Sequence, residues 1–96
     1  MDPLQSLKDI DEELFEFVKR SEDLAFSEGK IPLKYKYLMA MAIDACQGAS
    51  EGVKALVRAA IENGASKEEI AEALRVAIYI CGAGAAYTAA KGLDGL

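Results

Sequence analysis

The sequence predicts an all-α domain of about four helices that completes its core as an obligate homo-oligomer. Three observations carry that expectation. Apolar residues recur at three- and four-residue steps, and the two-residue alternation of a strand is missing. Gly29, Gly48 and Asn63-Gly64 read as helix stops, while Pro32 and Ser66 read as starts. Finally, 52% of the 96 residues are hydrophobic, yet a chain of this size buries only about two-thirds of its unfolded surface alone. The surplus apolar surface calls for sister subunits.

The first helix is expected from about Leu4 to Phe26. Leu7, Ile10, Leu14, Phe17, Val18 and Leu24 form its stripe, with acidic residues and Lys19 between them. Phe15 lies off the stripe and is expected to meet a neighbouring subunit. Asp2-Pro3 is a start signal, with Asp as cap and Pro at the first helical position. Ser27-Glu28-Gly29-Lys30 is the stop, with Gly29 as the left-handed cap.

Pro32 opens a second helix, expected to about Gln47, whose only polar positions beyond the ends are Lys34, Lys36 and Asp44. A helix apolar nearly all round is buried nearly all round. Gly48 interrupts it, and Ser50 is placed as the cap of a third helix, about Glu51 to Asn63. Val53, Leu56, Val57, Ala60 and Ile61 are the inner face of that helix. Ser66-Lys67-Glu68-Glu69 is a capping box, in which serine and glutamate satisfy each other's backbone N–H.

The capping box starts a fourth helix, expected to run unbroken to about Lys91, with Gly92 to Leu96 frayed. From Val76 to Ala90 it carries no charge. That run spans about 22 Å at 1.5 Å per residue, short of the about twenty residues a membrane span needs. With its Gly and Ala residues it suits the centre of a soluble oligomer. The second and fourth helices are expected to be the most buried.

The net charge of −5 argues against nucleic-acid binding, and Lys30, Lys34 and Lys36 read as a solvated face. Two cysteines without histidine cannot make a four-ligand zinc site, nor do they form a secreted disulfide framework. No cofactor or metal is expected. No secretory signal opens the chain, and the cytoplasm is the default compartment.

An apolar helix, a small-residue turn, A-A-I-E-N-G-A-S and then K-E-E-I-A-E-A-L resemble the carboxymuconolactone decarboxylase family, whose superfamily includes alkylhydroperoxidase D-like proteins. The resemblance covers about residues 33–90 and implies a trimer or hexamer. It also implies peroxiredoxin-type reduction of alkyl hydroperoxides or a decarboxylase-type reaction. Thiol-active members carry Cys-x-x-Cys-x-x-x-His at the turn into the third helix, with a glutamate about three turns upstream. Anchored on Gly64, those four positions fall on Ala49, Gly52, Leu56 and Tyr37. Anchored on Cys46, they fall on Cys46, Ala49, Val53 and Lys34. Neither register keeps the motif.

The candidate catalytic residues are therefore Cys46, Glu51 and Tyr37. Cys46, near a helix C-terminus, is either a small buried hydrophobe or a displaced reactive thiol. Cys81 is either helix packing or the partner of Cys46. Tyr37 stands in the glutamate position, and a phenol of pKa about 10 is a poor base. Glu51 is the one ionisable side chain of the turn and would sit at a helix N-terminus. Gly82-Ala-Gly84-Ala-Ala-Tyr87 follows no strand and is not a dinucleotide fingerprint. Glu68, Glu69 and Glu72 read as cap and solvated face. The alternative to catalysis is an oligomeric module binding a small apolar ligand, or a partner of a catalytic paralogue.

Overall fold

The computed structural model describes residues 3–96, so the expected Asp2 cap lies outside the described residues. Six helices follow one another: α1 (Gln5–Ile10), α2 (Glu12–Ala25), α3 (Leu33–Cys46), α4 (Ser50–Glu62), α5 (Lys67–Cys81) and α6 (Ala83–Leu93). No strand occurs among the described residues. The all-α expectation holds, and the count of four does not, because two expected helices each divide.

The first division is at Asp11, which is extended (φ −153°, ψ 98°) and accepts a hydrogen bond from the Leu14 N–H through its carboxylate, 3.0 Å. Short acidic side chains compete for backbone donors in this way and favour helix starts over helix interiors. Glu12 and Glu13 reinforce the start from the first turn of α2. The second division is at Gly82, with φ 86° and ψ −170°. That conformation is reached almost only by glycine, so one residue ends α5 and begins α6.

The other boundaries follow from specific bonds. Gly29 is not left-handed; among the described residues only Gly48, Gly64, Gly82 and Gly95 have positive φ. Instead α2 closes when the Ser27 hydroxyl donates to the Leu24 carbonyl (2.8 Å) and Lys36 Nζ donates to the Ser27 carbonyl (2.6 Å). Ser50 is the first residue of α4 rather than its cap, and Ala49 precedes it without a side-chain bond. The capping box of α5 forms as expected: Glu69 N–H to Ser66 Oγ 3.0 Å, Ser66 N–H to Glu69 Oε1 2.9 Å. Gly92 is buried against Val53, so the chain is helical to Leu93 where fraying was expected.

The core lies between α3, α4, α5 and α6 and holds Leu38, Met41, Ala45, Val53, Val57, Ala60, Ile70, Leu74, Ala85 and Ala89. Burial is shared: α4 places three residues inside, as α3 and α5 do. Helix α6 places three more inside, so the fourth expected helix, α5 with α6, buries the most, as expected, while the second buries no more than the third. In the protomer, α3 and α5 leave Met39, Ile43, Val76, Tyr79 and Ile80 exposed. Neither α1 nor α2 buries any residue. Phe15 is half-buried, with the Lys8 ammonium 5.4 Å from its ring. No described helix is long and apolar enough to cross a membrane.

Candidate functional site

Helices α3 and α5 lie side by side and run in the same direction. At their N-terminal ends Lys34 Nζ sits 3.2 Å from Glu69 Oε2, and the Tyr35 hydroxyl donates to the same oxygen at 3.3 Å. At their C-terminal ends Cys46 and Cys81 form a disulfide, Cα–Cα 5.5 Å. Both couplings join residues 35 apart in sequence, which is the signature of two parallel helices in fixed register. Between the two ties lies an open groove of about 580 Å³, walled mainly by Leu38, Met39, Ala42, Ala73 and Val76, with Tyr35, Glu69 and Glu72 completing the lining.

The electrostatics of the first tie follow from its bonds. Glu69 is held below the ordinary carboxylate range, first by the Ser66 N–H and then by the Lys34 ammonium. Lys34 is raised, chiefly by its hydrogen bond to Glu69. Both stay charged near neutrality, and the expected solvated lysine face is partly spent on internal bonds. Lys36 too is committed, to the Ser27 carbonyl.

The expectation of Cys46 as a buried hydrophobe is overturned. Both cysteines are exposed and bonded to each other. The Cys46 sulfur lies 3.7 Å from the Ala77 carbonyl oxygen. Each cysteine is the last residue of its helix and precedes a left-handed glycine, Gly48 or Gly82. That shared placement was a signal in the sequence. The parallel register that joins them was not.

The turn where the thiol motif would stand is differently filled. A Cβ at Gly52 would run into the Asp44 carboxylate, which lies over the first turn of α4. A carboxylate is favoured there by the helix dipole, so Asp44 takes the space a cysteine side chain would need. Leu56 and Tyr37 pack against the apolar core. The Tyr37 ring also stacks on Phe26, centroids 4.8 Å apart. Glu51 is exposed in the first turn of α4. Among the described residues no hydrogen bond joins Cys46, Glu51 and Tyr37, and Asp44 was not singled out from the sequence. No group of three or more acidic or cysteine residues among them is gathered to hold a metal ion.

What this arrangement can do chemically is thiol–disulfide exchange at one end of the groove and apolar binding along it. A family model described as the carboxymuconolactone decarboxylase family matches residues 12–94. No curated protein matches the chain, and no solved structure does.

Proposed function

The chain belongs to the carboxymuconolactone decarboxylase family, and from that membership we propose that it is a homo-oligomeric dithiol reductant of organic hydroperoxides. One observation carries the proposal: two solvent-exposed cysteines at bonding distance, Cys46 and Cys81, in a chain that lacks the family's local thiol pair. In the reduced protein one thiolate attacks the hydroperoxide, the O–O bond breaks, and the alcohol leaves with a proton. The sulfenic acid so formed is attacked by the second thiol, which releases water and closes the disulfide. An external dithiol restores the pair by exchange.

With no histidine in the chain, no imidazole activates either thiol. The activity is accordingly slow. Glu51 and Tyr37 are given no step. Cytoplasmic placement accords with this chemistry, since a reducing compartment keeps the dithiol available.

The test is reduced protein mixed with cumene hydroperoxide, first stoichiometrically and then with a dithiol in excess. One equivalent is consumed per protomer, and Cys46→Ser and Cys81→Ser each abolish turnover. Consumption no faster than in the double serine variant overturns the proposal. The groove between α3 and α5 favours a second function, binding of a small apolar ligand without catalysis. Apolar ligand copurifying with intact oligomers, seen by native mass spectrometry, is its mark.

A further inference from the structure

Two of the protomer's exposed apolar surfaces match each other. One is the groove between α3 and α5, where Met39 is 49% and Val76 66% exposed. The other is α2, whose Leu14, Phe17 and Leu24 share one face at helical spacing and stand 43%, 61% and 77% exposed. We propose that α2 of one copy lies in the α3–α5 groove of a second copy. This names the surface used by the homo-oligomer and rests on that part of the proposed function.

Length agrees. Helix α2 has 14 residues, about 21 Å at 1.5 Å per residue. The groove is bounded by the Lys34–Glu69 and Cys46–Cys81 ties, which are separated by about 18 Å on the same scale.

Net charge permits the contact. Between Gln5 and Phe26 stand Asp9, Asp11, Glu12, Glu13, Glu16, Glu22 and Asp23 against Lys8, Lys19 and Arg20, a net −4. Residues 27–96 are neutral overall, and of the two carboxylates in the groove lining Glu69 is already paired with Lys34, which leaves Glu72 facing the rod. An acidic rod seats against a neutral body with less repulsion than against another acidic surface.

The rod cannot serve its own groove. Phe26 stacks on Tyr37 and fastens the end of α2 to α3. Tyr37 lies about 160° round α3 from Met39 at about 100° per residue. The groove is therefore on the far flank of the helix to which the rod is fastened. With arm and groove on opposite flanks, the contact is head-to-tail, each copy giving its arm to one neighbour.

The experiment combines sedimentation velocity with site-specific photocrosslinking. Phe17 is replaced by p-benzoylphenylalanine in an equal mixture of light and ¹⁵N-labelled protein. The expected adducts join light and heavy chains at Met39 or Val76. Phe17→Ser and Val76→Arg, both at exposed positions, each raise the dissociation concentration about 100-fold or more, as central anchors do. A wild-type chain that stays monomeric at all concentrations removes the oligomer and this contact together. A stable oligomer crosslinked elsewhere, or within one chain, overturns this contact and leaves the oligomer standing. Dissociation by Phe17→Ser with none by Val76→Arg also overturns it, because the rod then seats outside the groove.

Discussion

Removing the Cys46–Cys81 bond is the perturbation whose effect the structure sizes best. The bond closes a loop of 35 residues. In the chain-entropy account such a loop removes about 4 kcal/mol of freedom from the unfolded state. Both cysteines are exposed, so a Cys46→Ser, Cys81→Ser double variant opens no cavity and buries no orphan hydroxyl. Nearly all of the change then comes from the unfolded chain. With a urea slope of about 1–2 kcal/mol/M for a domain of this size, the midpoint falls by about 2–4 M. The assay is urea unfolding followed by far-ultraviolet circular dichroism, at one protein concentration because an oligomer's stability depends on it. Alkylation of the denatured, unreduced protein gives the parallel check: neither thiol is labelled. Two labelled thiols, or a midpoint displaced by less than about 0.5 M against that slope, would refute the reasoning, since the loop would then be open in solution.

Three further outcomes are expected. Ser66→Ala removes one half of the capping box and lowers stability by about 1 kcal/mol, read by the same unfolding curve. Gly92→Ala places a methyl group against Val53 and the Ser50 carbonyl, and overpacking of this kind costs about 1–3 kcal/mol, seen as a lower thermal midpoint. For Glu69→Gln the pH dependence is diagnostic. The folded pKa of Glu69 lies below its ordinary 4.5, so its contribution is present above that value and lost as pH falls through the folded one. The raised pKa of Lys34 keeps the partner charged up to at least its ordinary 10.5. The stability gap between wild type and Glu69→Gln is therefore flat from about pH 5 to 10 and closes in acid; a gap that persists at pH 2 contradicts it.

Local chemistry was legible wherever a residue acts on its own neighbours. The Ser66–Glu69 box and the turn at Gly64 were readable because their partners lie within three residues. The helix start at Asp11 was equally local, and was passed over because the apolar stripe continues across it. Gly82 was passed over for a different reason. An apolar run of small residues has the period of one helix, and nothing in the run itself marks which glycine leaves the helical region. In the candidate site, the loss of thiol chemistry at Ala49, Gly52 and Leu56 could be read directly. The occupation of that space by Asp44 could not, because it requires α3 and α4 to be folded against each other.

By itself, then, the sequence determined helicity, the α5 cap, membership of the carboxymuconolactone decarboxylase family and the absence of its thiol motif. These are properties of residue type and spacing along one chain. Only the tertiary structure decided that Cys46 meets Cys81, that Lys34 meets Glu69, and that a groove opens between them. The physical reason is that two helices more than thirty residues apart take a parallel register from the packing of Leu38, Met41, Ala45, Ile70 and Leu74 in the core. No short-range pattern encodes that register.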